Sequence, residues 1–146
     1  ARGGLVKFWD TSAIVPLCVE EPTTATLRRL ADGDSGLVVW WSTRTECISA
    51  LARRGRERHI KSATEARARR VLRELVAVWS EVLPSEVVRQ RTERLLTVHA
   101  LRSADAFQLA AALLWSQGRT SAHGFVCLDD RLRGAATREG FDVLPA

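Results

Sequence analysis

Short apolar runs that break off at a carboxylate constrain this chain more than any other feature. "LVKFWD" runs from Leu5 into Asp10, and "FVCLDD" runs from Phe125 into Asp129 and Asp130. A third run, "LVVWW" at residues 37–41, is apolar throughout. Runs of this length fit buried strands. Between and after them lie longer stretches with apolar residues at helical spacing, at 13–19, 24–31, 43–58, 63–79, 85–100 and 103–118. "EVLP" reads as a small strand, "RLRGAATREG" as a helix stopped by Gly140, and "DVL" as a last short strand. Strands that alternate with helices predict an α/β fold with a mainly parallel sheet of about four or five strands, covered on both faces.

Local signals refine this outline. Thr11 and Ser12 are placed to cap the first helix, where Pro16 is tolerated only in the first turn. "DGDSG" (32–36) marks a loop. The stretch 103–118 is apolar nearly all round, which predicts a buried central helix ending at Gly118. Trp9, Trp40 and Trp41 fall in strands and Trp115 in that helix, so core packing is expected of all four, with base stacking by an exposed indole as the alternative.

The 146 residues, 46% hydrophobic and 27% charged, suit one soluble domain with a real core. No apolar run approaches the ~18 residues of a membrane span, and "ARGGLVKF" lacks the apolar segment of a secretory signal. A cytoplasmic protein without membrane association is expected, and the absence of Met suggests a trimmed start. Cys18, Cys47 and Cys127 are odd in number and set in apolar sequence, as buried free thiols would be. His59, His99 and His123 show no zinc spacing.

The net charge of +5 favours a polyanionic or acidic partner. Basic residues concentrate in "RRGRERHIKSATEARARRVLR" (53–73), with Arg53, Arg54, Arg56, Arg69 and Arg70 as candidate contacts for RNA or a protein partner. A solvated helix face is the plainer reading of the same stretch.

Asp10 and Asp129 each follow a strand directly, and in open α/β sheets the carboxyl ends of strands face the ligand crevice. Glu46 follows "LVVWW" in "STRTEC", and Asp105 opens the buried helix in "RSADAF". Singly, each acid has a structural explanation. Thr43-x-x-Glu46 fits a capping box, Asp105 sits near a Ser103 cap, and Asp10 suits an Asx-turn. Together they would repel one another unless a cation neutralised them. Oxygen ligands without paired His or Cys suit Mg²⁺ or Mn²⁺, which completes its shell with water and substrate phosphate. An acidic pocket in a basic protein points to phosphodiester chemistry. A phosphatase with a nucleophilic aspartate fits poorly, because Ser12 stands where its second acid should be, and a receiver domain needs an acid after its middle strand.

"FWDTSAIVPL", "TRTECISAL", "LRSADAFQLAAAL" and "FVCLDDRLRGAATREGFDVL" together resemble the motifs of PIN-domain ribonucleases, most closely the VapC-type toxins of bacterial toxin–antitoxin pairs. The resemblance covers nearly the whole chain. It implies a single PIN domain over 1–146, a three-layer α/β/α sandwich, and metal-dependent endoribonuclease activity on RNA such as tRNA or ribosomal RNA. It also implies a homodimer and inhibition by a cognate antitoxin. Carried over residue by residue, Asp10, Glu46, Asp105 and Asp129 are the catalytic and metal-holding acids. Ser12 is a supporting hydroxyl for a metal-bound water, and Asp130 is the rival for the fourth acid. The competing functional reading is a non-catalytic RNA- or protein-binding module of the same fold that uses the basic 53–73 face.

Overall fold

The computed structural model describes residues 5–146; residues 1–4, part of the stretch read for a secretory signal, lie outside the described residues. The elements run β1 (Phe8–Trp9), α1 (Thr11–Cys18), α2 (Thr24–Asp32), β2 (Val38–Trp40), α3 (Thr43–Arg56), α4 (Ser62–Val78), β3 (Ser80–Val82), α5 (Glu86–Val98), α6 (Ser103–Trp115), β4 (Gly124–Val126), α7 (Asp130–Arg138) and β5 (Asp142–Leu144). The five strands form one all-parallel sheet in the order β3-β2-β1-β4-β5. The chain therefore builds outward from β1 in one direction, then returns to lay β4 on its other side. The order reverses between β1 and β4, and that switch point opens a crevice at the carboxyl ends of these two strands.

Strand residues alternate between two cores. Phe8, Val38, Trp40 and Phe125 pack with Val88 and Leu95 of α5, Leu109 and the alanines of α6, and Leu132 of α7. Trp9, Val39 and Val126 face the other way, onto Ile14 of α1, Leu27 of α2, Leu51 of α3 and Leu72 of α4. Helices thus cover both faces, and each large apolar side chain fully buried this way contributes ~1.5–3 kcal/mol. The buried Trp9 indole donates to Asp34 Oδ2 at 2.7 Å. The same carboxylate accepts from Lys7, Gly36 and Leu37 backbone N–H groups at 2.9–3.1 Å, tying the loop before β2 to the start of β1.

Several local expectations change. Pro16 lies in the second turn of α1, not the first, because the helix begins at Thr11; having no N–H, it cannot bond the carbonyl four residues back. The central helix ends at Trp115, short of Gly118, and the chain leaves through Gln117 and Gly118, both at positive φ. Trp41 is not core: it lies past the end of β2 and is 53% exposed. Ile48 on α3, and Val87 and Val98 on α5, apolar residues of the helical stretches 43–58 and 85–100, are exposed as well. Cys47 and Cys127 are buried free thiols, while Cys18 is half-buried. No helix among the described residues is long and apolar enough to cross a membrane.

Candidate functional site

The acids gather where the strand order reverses. Asp10, Glu46, Asp105 and Asp129 all line one groove of about 480 Å³, together with Ser12, Glu21, Arg53 and Arg54. Asp130 lines a neighbouring hollow with Arg102, Asp105, Asp129 and Arg131, and does not line the main groove.

Asp10 is the N-cap of α1 and only 4% exposed. Its backbone N–H donates to Val126 O at 2.9 Å, which fixes it between β1 and β4. Oδ2 accepts from Ser12 N at 3.1 Å and Ser12 Oγ at 2.6 Å, while Oδ1 has no hydrogen-bond donor among the described residues. Burial pushes the carboxyl from an ordinary 3.8 to about 6; the Ser12 bonds oppose the rise, and the charges of Asp105 and Glu46 add to it. The cap is thus Asp10, and not Thr11 or Ser12 as the sequence suggested, because the helix already begins at Thr11; the turn that Asp10 Oδ2 makes with Ser12 leaves the second oxygen free.

Ser12 has a further task. Its hydroxyl also accepts from Leu128 N at 2.9 Å, so it links α1 to the loop after β4. Cys127 lies beneath, its Sγ 3.7 Å from both Asp10 Oδ2 and Ser12 Oγ. Burial pushes that thiol far up, with the Asp10 charge adding, so it stays protonated at neutral pH.

Glu46 does not act as the capping-box acid. The N-cap is Ser42, whose hydroxyl donates to Glu46 Oε2 at 2.7 Å instead of taking a backbone N–H. Glu46 Oε1 accepts from Thr11 Oγ1 at 2.5 Å and Gln108 Nε2 at 3.0 Å. Gln108, 1% exposed on α6, also reaches Thr11 Oγ1 and Thr43 Oγ1 at 3.0 Å, which makes it the hub between α1, α3 and α6. Its Oε1 is buried and has no partner among the described residues. Sequence reading missed Gln108, Thr11 and Thr43. The one available signal was a glutamine in an otherwise apolar helix, three residues after Asp105.

Asp105 lies in the first turn of α6, whose N-cap is Arg102, so Ser103 is the first helical residue and not the cap. No hydrogen-bond donor reaches its carboxylate among the described residues. Burial raises its pKa, the charges of Asp129 and Glu46 raise it further, and Arg102 opposes them. Asp129 is exposed and caps α7, its Oδ1 accepting from Leu132 N at 3.0 Å.

The basic candidates separate. Arg53 lines the acidic groove, and Arg54 lines it while paired with Glu21 at 2.5 Å. Arg69 pairs with Glu65 at 2.7 Å and faces a different groove, between α3 and α4. Arg56 and Arg70 are exposed, with no ion pair among the described residues.

The donors offered to the groove are hard oxygens, and the Cys127 and Cys47 thiols near the acids are both pushed up by burial and held protonated. Asp10 Oδ1 and the Asp105 carboxylate, both free of hydrogen-bond donors, suit a hard divalent cation. Among the described residues no three His, Cys, Asp or Glu side chains stand close enough to enclose an ion. Mg²⁺ does not need such a cage, since it binds through one or two carboxylates and keeps several waters. The residues fit that mode.

Fold and groove define an all-parallel α/β protein with an acidic, oxygen-donor crevice at its switch point. The chain belongs to the PIN domain family, which it matches over residues 7–123. PIN domains are generally metal-dependent nucleases, typically using divalent metals such as Mg²⁺. The matched span contains Asp10, Glu46 and Asp105, and Asp129 lies just beyond it. No curated protein matches the chain.

Proposed function

We propose that this chain is an Mg²⁺-dependent endoribonuclease, able to use Mn²⁺, that hydrolyses phosphodiester bonds of structured RNA such as tRNA or ribosomal RNA. The observation that carries this reading is the convergence of four carboxylates, from four separate segments, on one groove at the switch point. Asp10 and Asp105 would hold the ion. The ion, when bound, supplies charge stabilisation at the phosphoryl oxygens and lowers the pKa of water.

The chain's own residues do the positioning. Ser12 occupies Asp10 Oδ2 and so presents Oδ1 to the groove. Glu46, fixed by Ser42, Thr11 and Gln108, and Asp129, fixed by Leu132 N, complete the acidic wall and orient the attacking water. Arg53 in the groove and Arg102 beside Asp105 offset the approach of phosphate to so many acids. No covalent nucleophile is needed, and the protonated Cys127 thiol is a poor one.

In the cell we read the protein as the toxin of a toxin–antitoxin pair, homodimeric and silenced by a cognate antitoxin. Support comes from the apolar side chains left exposed along and just before α5, at Leu83, Val87, Leu96 and Val98, which a partner would cover.

The test is cleavage of end-labelled total RNA with Mg²⁺ by wild type, Asp10→Asn and Asp105→Asn, with EDTA as control. Discrete cuts by wild type that disappear in both variants and in EDTA are expected. Intact RNA at high enzyme concentration, or equal cutting by the variants, would overturn the reading.

A further inference from the structure

A second groove, of about 670 Å³, begins at Glu46 and leads away from the acids. Its walls are Trp40, Trp41, Pro84, Arg89 and Phe107, with Ala104 at the start of α6 one residue before Asp105. Because Glu46 belongs to both grooves, this one continues the acidic site. Its size is within the ~300–1,000 Å³ of small-ligand sites.

Trp41 is the anomaly in it. Trp9, Trp40 and Trp79 are at most 8% exposed, whereas Trp41 is 53% exposed. Its backbone is nonetheless fixed, since Trp41 N donates to Val82 O at 3.0 Å on the edge strand β3. Behind it, Trp40 and Phe107 stack at 5.5 Å with only 7° between their planes, a rigid aromatic floor. Arg89, its side chain 67% exposed and only loosely paired with Glu86 at 3.5 Å, adds a cation at the same groove. An open indole on a fixed backbone, an aromatic floor and an exposed guanidinium, held by Glu86 of the same groove through Nε alone, match one occupant: a nucleotide whose base stacks and whose phosphate meets the arginine.

We infer that this groove is a base-binding subsite in which Trp41 stacks an unpaired base of the substrate strand, next to the phosphate cut at the acids. This rests on the nuclease reading above. It makes the enzyme selective for single-stranded or loop segments, because a base within a duplex has no free face to offer an indole.

Binding can be measured apart from cleavage, in EDTA, by anisotropy of a labelled unstructured RNA 12-mer and of a duplex of the same length. Trp41→Ala should weaken the single strand by about 5- to 150-fold, the range of one lost base stack. Trp41→Phe should restore most of that affinity, and duplex binding should barely change. The single strand should also quench wild-type tryptophan emission saturably. Unchanged melting temperatures would show that the exposed side chain acts on RNA and not on the fold. Equal single-strand affinity of wild type and Trp41→Ala, or equal loss for duplex, would overturn the subsite. So would absence of quenching, which would leave the groove to a protein segment. A wild type that cuts RNA with an unaltered KM in Trp41→Ala removes the subsite and spares the nuclease. A wild type that fails to cut removes the nuclease reading, and the binding arms still decide the groove.

Discussion

Replacing Asp10 with asparagine should make the metal-free protein more stable while abolishing its cleavage. Asparagine keeps the shape, and its amide oxygen can still accept from Ser12 N and Oγ as Oδ2 does now. What it removes is a buried negative charge. Burial raises the Asp10 carboxyl from 3.8 to about 6. At 1.36 kcal/mol per unit, that rise means about 3 kcal/mol of stability withheld from the folded state when the group is ionised. The sign follows from the proton count. Below pH 3.8 both folded and unfolded chains hold the proton, and wild type suffers no penalty. Between about pH 4 and 6 the unfolded chain has lost it and the folded chain keeps it, so stability falls as pH rises. Above pH 6 the full penalty remains. Urea unfolding of wild type and Asp10→Asn in EDTA, at intervals from pH 4 to 8, measures the difference directly and cancels other titrating groups. The variant should gain about 2–3 kcal/mol by pH 7, equivalent to roughly 4–12 °C in Tm, with the gain vanishing toward pH 4. Saturating Mg²⁺ should stabilise wild type, by about 2.7 kcal/mol at a hundredfold excess over Kd, and leave the variant nearly unmoved. A gain that is absent, or the same at pH 4.5 and 7.5, would refute the argument from desolvation.

Substitutions at three further positions probe the scaffold. Gln108→Glu places a second buried carboxylate against Glu46; it should cost about 2–4 kcal/mol at pH 7 and less at pH 5, read by urea unfolding, whereas Gln108→Leu should leave stability within about 1 kcal/mol and lower kcat through a misplaced Glu46. Asp34→Ala strips the acceptor from four donors and should destabilise by about 2–4 kcal/mol in thermal melts, with RNA cleavage intact at 20 °C. Gly140→Ala should cost about 1–3 kcal/mol, because φ is +100° there and the added Cβ would collide with Thr120 Oγ1.

The layered architecture was legible because βα alternation leaves few topologies. Short parallel strands need helices on both faces, and the apolar runs mark where those strands lie. The acids were legible as a set for the same reason: each follows a strand or opens a helix, and such positions meet at one sheet edge. What escaped is informative. Trp41 ends "LVVWW", and nothing in a run apolar throughout marks which residue lies past the end of the strand. Val87 and Val98 stand eleven residues apart on one side of α5, a spacing that looks like a core face whether or not anything covers it. Asp34 takes its meaning from donors as far as 27 positions away and Gln108 from acceptors as far as 97, which no local pattern encodes.

The wiring of the acids explains how so much negative charge survives folding in one place. Asp10, Glu46 and Asp129 each accept hydrogen bonds from neutral donors: a serine and its N–H, two hydroxyls and an amide, and a helix N–H. Neutral donors orient a carboxylate without cancelling its charge, so the burial that chiefly raises Asp10 and Asp105, and the repulsion that adds to it, remain in the folded chain. Had stability alone shaped this groove, arginines would pair with the acids, as Arg54 does with Glu21 at its edge. Instead Arg102 stands near enough to Asp105 to lower its pKa, yet makes no ion pair with it. The side chains hold the carboxylates still and leave the balancing charge to whatever enters the groove.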